Sequence, residues 1–240
     1  MADGGWDKSA EAWIANIDRG DPSREKLLDR VMLDLCGDVS GCRVLDDGCG
    51  EGRFSRMLAG AGAEVIAVDF TAALARAAHL RRVHGQGTVR ATAGCLPFPE
   101  ATFDLVVSYL VLVDVPDFRP AIREAARVLR PGGRLVVANT SFMSTGTGWV
   151  RDADGKRLHY PVDNYLVERP VQVKWAGIDI VNWHRPLSAY IEAFLGAGLA
   201  LRDFIEPMPK DDSLRDDPYF EDWYRAPNFV VMHWQKPGIG

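Results

Sequence analysis

The chain has 240 residues, 47% of them hydrophobic and 25% charged, a balance that suits one globular domain with a buried core. Its net charge of −5 offers no electrostatic footprint for nucleic acid or an anionic membrane. There is no long apolar span and no basic-plus-apolar leader at Met1, and the four cysteines (Cys36, Cys42, Cys49, Cys95) lack CxxC pairing or nearby histidines.

These features predict a cytoplasmic protein with reduced thiols, no membrane or nucleic-acid partner, and a monomeric or homodimeric state. Taken in order, Trp6, Trp13, Ile14 and Ile17 recur at helical spacing, and Leu27, Leu28, Val31, Met32 and Leu35 do so again. Asp21-Pro22 between them reads as an N-cap followed by proline at the first helical position. Residues 1–40 are therefore read as a helical cap, with Trp6 or Trp13 facing whatever lies beneath.

A strand over Arg43–Asp46 then runs into Gly48-Cys49-Gly50-Glu51-Gly52, and a helical pattern follows at Phe54, Met57 and Leu58. Such a turn lets the main chain approach a ligand closely, and the helix N-terminus offers free N–H groups. A dinucleotide turn requires G-x-G-x-x-G, whose last glycine would fall on Arg53, so a nicotinamide cofactor is disfavoured. Glu64–Asp69 is a second strand ending in a carboxylate, 17 positions after Gly52, where one acidic group serves a ribose diol. A helix over 72–82 follows, and Thr88–Thr92 is read as the third strand. Phe103–Ser108 is the fourth strand, with Tyr109–Asp117 as the loop beyond its tip. A helix over Arg119–Leu129 is stopped by Pro131-Gly132-Gly133, and Arg134–Asn139 is the fifth strand.

Residues 140–185 are long, aromatic and polar, with a hairpin pattern at Val171–Trp175 and Ile178–Val181 around Ala176-Gly177. They are read as a substrate-covering lid. A helix over Arg185–Leu195 and strands at Leu199–Ile205 and Asn228–Gln235 complete one domain spanning 1–240.

Val44-Leu45-Asp46-Asp47-Gly48-Cys49-Gly50-Glu51-Gly52 resembles motif I of the class I S-adenosylmethionine-dependent methyltransferases, with Asp47 where an apolar residue is more usual. Leu96-Pro-Phe-Pro followed by Phe103-Asp104, and Arg127-Val-Leu-Arg-Pro-Gly-Gly, are similar to further motifs of that superfamily. The resemblance is close over about 43–140 and looser over 186–235. It implies an α/β, Rossmann-like, doubly wound seven-stranded sheet whose last strand is antiparallel, with an aromatic-rich insertion after strand 5. It also implies S-adenosylmethionine as cofactor, with Gly48 and Gly50 along its methionine end and Asp69 at the ribose. Asp46 would fix the turn or meet the amino group through water, Phe70 would lie along the adenine, and Cys49 and Ser108 would sit beside them; Arg53, from its place at the helix start, would meet the carboxylate. The adenine-binding acid of the family falls on Thr92, which leaves adenine to the Thr92 hydroxyl or to backbone groups around Ala93.

For the acceptor, histidine has the pKa a general base needs, and His184 before the Pro186 helix is the candidate, with Asp114 orienting it or acting alone. Tyr109 and Tyr165 would position a hydroxyl, whereas His79 and His84 read as surface residues. Asp114, Asp117 and Asn139 lie near strand tips at a spacing that does not force them together, so no metal is expected. The function expected is methyl transfer to an oxygen or nitrogen of a small molecule, with oxygen favoured. A nucleic-acid or protein methyltransferase, and a non-catalytic cofactor-binding module on the same fold, are the alternatives.

Overall fold

The computed structural model describes residues 4–143, 145, 148–217 and 219–238. Helix α1 spans Trp6–Asp18. Asp21 then caps the next segment as expected, its Oδ1 accepting from Ser23 N (3.0 Å) and Arg24 N (3.3 Å). That segment opens with a π turn over Arg24–Leu28 before continuing as α2, Asp29–Cys36.

The alternating core follows as β1 (Arg43–Asp47), α3 (Arg53–Gly60), β2 (Glu64–Asp69), α4 (Ala72–Arg81), β3 (Gln86–Arg90), β4 (Phe103–Tyr109), α5 (Phe118–Val128) and β5 (Leu129–Thr140). Two short hairpins come next, β6 (Val150–Arg151) with β7 (Arg157–His159), then β8 (Arg169–Trp175) with β9 (Ile178–His184). Helix α6 (Leu187–Gly196) and strands β10 (Ala200–Ile205) and β11 (Phe229–Gln235) complete the chain.

Seven strands form the main sheet in the order β10-β11-β5-β4-β1-β2-β3. β1 through β5 pair in parallel, whereas β11 is antiparallel to both β5 and β10. Helices cover both faces because the central strands are apolar on both sides. One face packs α5 and α6 through Phe118, Ile122, Tyr190 and Phe194, and the other packs the π turn, α2 and α3 through Leu28, Met32, Phe54 and Leu58. Helix α5 shows why these stretches are helical. Phe118, Ala121, Ile122, Ala125 and Ala126 recur along one buried stripe, and Asp117 caps the first turn by accepting from Arg119 N.

The third strand starts and stops two residues earlier than its sequence pattern indicates. Gly85, at positive φ, opens it, and pairing with β2 ends at Arg90 opposite Asp69. Thr92 instead bridges Cys95 in the loop beyond. The β6–β7 hairpin has no counterpart in the sequence reading. No helix among the described residues is long and apolar enough to cross a membrane.

Strand order reverses between β1 and β4, so the carboxyl ends of β1, β2 and β4 open a crevice at that point. The loop closing one side of the crevice is held by a buried cation. Arg185, 1% exposed, donates to the carbonyls of Leu112 (2.9 Å), Val115 (2.5 Å) and Pro116 (3.0 Å) and packs on the face of Phe118. Arg185→Met keeps the apolar stem and strands those carbonyls. It is expected to cost about 3 kcal/mol, lowering the melting midpoint by roughly 6–12 °C at about 2–4 °C per kcal/mol. A midpoint within 2 °C of wild type by calorimetry, about half a kcal/mol, would remove Arg185 from this role.

Candidate cofactor and acceptor site

A cavity of about 390 Å³ lies over the crevice, a volume in the range of small-molecule sites. Its floor is the glycine turn. Gly48 and Cys49 donate their N–H groups to Val68 O, both at 2.8 Å, which ties the turn to β2. Gly48 has φ +81°, and a Cβ there would lie 2.3 Å from Val111 Cγ2. Gly50 has φ +58° and lies directly beneath Trp13, whose Nε1 a Cβ would meet at 3.2 Å.

Asp69 at the tip of β2 is poised as a diol acceptor. Gly50 N reaches one of its oxygens at 2.8 Å and Thr71 N reaches the other at 2.8 Å. Each oxygen keeps further acceptor capacity for a ribose hydroxyl. Asp46 is buried and turned toward α3, where Ser55 Oγ donates to it at 2.5 Å. Burial pushes the carboxyls of Asp46 and Asp69 up to about 6, and burial together with those two neighbours pushes Asp47 up to about 7.

The roof comes from the N-terminal segment. Trp6, Trp13, Ile17 and Arg24 line the cavity, the two indoles meeting edge to face with centroids 5.6 Å apart. Helix α1 is fastened on two sides. Ser9 Oγ accepts from Asp179 N (3.0 Å), and Val181 N donates to Gly4 O (2.8 Å), joining it to β9. Arg81 on α4 bridges Asp18 of α1 and Glu51 of the turn, at 2.7 and 2.9 Å.

The expected site residues divide under this geometry. Asp46, Gly48, Cys49, Gly50, Asp69, Phe70, Thr92 and Ala93 all line the cavity, and so do Arg53, Tyr109 and Asp114. Ser108 does not. Strand alternation turns it to the face opposite Tyr109, where it is buried inside β4. Arg53 reaches the wall but is already held, forming a two-point bond with Asp29 at 2.9 and 2.5 Å, and the Tyr109 hydroxyl donates to the same carboxylate at 3.0 Å.

The expectation of a base at His184 is corrected. His184 is 2% exposed and off the cavity wall. Its Nε2 lies 2.8 Å from Tyr165 O, which can only accept, so that nitrogen carries a proton, and its Nδ1 lies 2.8 Å from Thr145 Oγ1. Both nitrogens are therefore engaged away from the cavity, and burial lowers the pKa, which favours the neutral ring.

Asp114 stands where the base was sought. It lines the cavity, Asn182 Nδ2 on β9 donates to it at 2.5 Å, and the Trp6 side chain adds a second bond. Burial pushes its carboxyl up to about 8, partly offset by the Asn182 bond and by Arg24. No described residue from 140–185 lines the cavity, and 144, 146 and 147 lie outside the described residues. The insertion backs the roof instead of forming it. The β8–β9 hairpin braces α1 and Asp114, while Trp149 of the other hairpin region packs against Tyr160 and Arg225.

Arg24 and Asp29 were missed by the sequence reading. Arg24 pairs with Asp21 and lies over Trp13 (4.7 Å) and Tyr109 (5.4 Å) on the cavity wall. The Asp21-Pro22 cap marked the start of their helix, but the π turn that swings Arg24 to the cavity has no sequence signature.

Six carboxylates (Asp46, Asp47, Glu51, Asp69, Asp114, Asp117) and two guanidiniums (Arg24, Arg53) line the cavity, and both guanidiniums have carboxylate partners. This wall repels a pyrophosphate and attracts a ligand bearing a sulfonium and an ammonium. The residues thus fit S-adenosylmethionine, with Asp69 for the ribose diol and Arg24, which is paired with Asp21, as a guanidinium on the wall that its carboxylate could share.

Comparison with known proteins agrees with the geometry. A family model described as "Methyltransferase domain" matches residues 45–137. The chain is 38% identical over 125 residues to a ubiquinone/menaquinone biosynthesis C-methyltransferase of Hahella chejuensis, covering 48% of this chain and 50% of that protein. It is 35% identical over 141 residues to a malonyl-[acyl-carrier protein] O-methyltransferase of Pseudescherichia vulneris, covering 58% and 54%. These matches span about half the length of each curated relative. A solved S-adenosylmethionine-dependent methyltransferase from Mesorhizobium loti superposes with TM-score 0.76 at 29% identity, covering 91% of this chain and 99% of that one.

With its strand order, antiparallel last strand and acid-lined glycine turn, the chain has the fold of the class I S-adenosylmethionine-dependent methyltransferases and carries a methyltransferase domain over residues 45–137. S-adenosylmethionine is the cofactor that goes with that domain and fold.

The crowded carboxyls carry a pH signature. Asp46, Asp47, Asp69 and Asp114 have folded pKa values raised above the unfolded value, so the folded state holds extra protons between about pH 4 and 8. Their contribution is fully present below about pH 4 and is lost as pH climbs through 6 to 8. His184, neutral when buried, acts in the opposite sense but is one group against four. Urea midpoints of the ligand-free protein should therefore fall from pH 5.5 to pH 8.5. A rise over that interval would contradict the burial assigned to the cluster.

Proposed function

We propose that this protein transfers the methyl group of S-adenosylmethionine to a small-molecule acceptor, with Asp114 taking the acceptor's proton. The observation that carries the reading is that one roofed cavity holds the glycine turn and Asp69 together with Asp114. S-adenosylmethionine supplies a methyl group already activated on a sulfonium. The chain has then to orient the reacting groups, exclude water and remove a proton.

Orientation falls to the turn, to Asp69 and to Arg24. Exclusion of water falls to Trp6, Trp13 and Ile17 of the roof, and to Val111 and Val115 of the loop held by Arg185. A roof fastened at both ends by α1 favours a small acceptor over a nucleic acid or a protein segment. Residues 1–40 serve as the cap of a single domain, and residues 140–185 serve as its brace.

Asp114 is suited to proton removal because burial lifts its carboxyl toward the working pH, while Asn182 fixes its direction. Such a base helps most with a weakly acidic O–H or C–H, and less with a nitrogen that already presents a lone pair. The names of the two relatives give methylation at carbon for one and at oxygen for the other. This supports an oxygen or carbon acceptor for this chain.

Two measurements test the reading. In thermal unfolding, S-adenosylmethionine or S-adenosylhomocysteine at about 100 times its dissociation constant adds roughly 2.7 kcal/mol, and NAD should add none. A shift with NAD alone would redirect the assignment to a dehydrogenase. For the base, Asp114→Asn should lower turnover by about 10²–10⁴-fold with cofactor affinity unchanged. Wild-type turnover should climb as pH rises through about 8, where Asp114 ionises, and the variant should lack that rise. Wild-type turnover in the variant would exclude Asp114.

A further inference from the structure

Most of the carboxylates on the cavity wall have partners, but Asp47 does not. Asp46 has Ser55, Asp69 has Gly50 and Thr71, Glu51 has Arg56 and Arg81, and Asp114 has Asn182. Asp47 is 3% exposed, its Oδ1 has no hydrogen-bond partner among the described residues, and it lines the cavity. An acceptor buried without a donor costs stability, so its presence on a ligand-facing wall calls for a donor from the ligand.

Its position says which part of the ligand that is. Alternation along β1 sends Asp46 toward Ser55 on α3 and Asp47 to the opposite face. There Asp47 feels the charge of Glu124, whose Oε2 holds Leu96 N at 2.7 Å at the end of the loop beyond β3. Ala91, Thr92, Ala93, Gly94 and Cys95 of that loop share the cavity wall with Asp47, and none of them carries a charged acceptor. With Asp69 holding the ribose, the wall made by Asp47 and this loop is left for the base.

Building on the cofactor reading above, we propose that Asp47 recognises the adenine of the cofactor by accepting a hydrogen bond from its exocyclic amino group. Thr92, with a hydroxyl instead of a carboxylate, contributes the loop wall and not the selective acceptor.

Equilibrium calorimetry with S-adenosylhomocysteine and its inosine counterpart, in which a carbonyl replaces the amino group, tests the assignment without any acceptor. Wild type should bind the adenine compound at least tenfold more tightly. Asp47→Val should lose at least tenfold in affinity for it and bind both compounds about equally, while melting no lower than wild type without ligand. Asp47→Val combined with Thr92→Asp should regain the preference, because it returns a carboxylate to the same wall.

Equal binding of the two compounds by wild type overturns the assignment, whatever the variants do. A preference that survives intact in Asp47→Val overturns it as well. Failure of wild type to bind S-adenosylhomocysteine at all would instead strike the cofactor reading, and this proposal with it.

Discussion

Carboxyl groups crowd the carboxyl ends of β1 and β2, and the surroundings of the site answer to that crowding. Asp46, Asp47 and Asp69 lie within one turn of chain and one strand spacing of each other, and burial holds all three above the ordinary carboxylate range. Nearby guanidiniums reduce the strain without removing it. Arg56 and Arg81 converge on Glu51, and Arg53 on Asp29, so the outer carboxylates are neutralised while the inner ones keep open faces toward the cavity. A wall left in this condition is complementary to a cation, and a sulfonium with an ammonium is a cation of suitable size and shape.

The same arrangement accounts for the roof. A cap helix resting over unneutralised carboxylates needs fastening at points other than the ligand. α1 obtains this from β9, through Ser9 and the Gly4 carbonyl, and from Arg81, which joins it to the turn below. Glycine at position 50 suits both its positive φ and the close approach of the roof, since a Cβ there would press on the Trp13 indole. On the other side, Arg185 gathers three carbonyls of the loop that carries Asp114. The two fastenings meet at Asp114, which receives Asn182 from the hairpin and the Trp6 side chain from the cap. A change in either support would therefore register at Asp114 before it registered at the glycine turn.

Where local pattern and tertiary structure agree, the reason is that the local constraint is severe. The positive φ angles at Gly48, Gly50 and Gly52, and the apolar run before them, leave few conformations other than strand, turn and helix. The stripe on α5 and the Asp21-Pro22 cap are legible for the same reason. Where they part, a side chain had two plausible uses and only its neighbours decided between them. His184 carries the chemistry of a base, but the Tyr165 carbonyl and the Thr145 hydroxyl engage both its nitrogens. Arg53 begins a helix at the ligand, yet Asp29, 24 residues earlier, claims it. The aromatic load of 140–185 suggested a lid, but Phe142 packs on Tyr190 of the core, and Trp149 packs on Tyr160 and Arg225.

By itself, the sequence determined the order of strands and helices, the position of the glycine turn and the carboxylate at the tip of β2. It could do so because glycine φ, strand alternation and helical periodicity act over a few residues. Tertiary structure alone decided which titratable groups reach the cavity and which are engaged elsewhere. The supports of Asp114 come from residues 6 and 182, and the guanidinium on the wall from a π turn, so proximity in space, burial and hydrogen-bond competition settled roles that separation along the chain concealed.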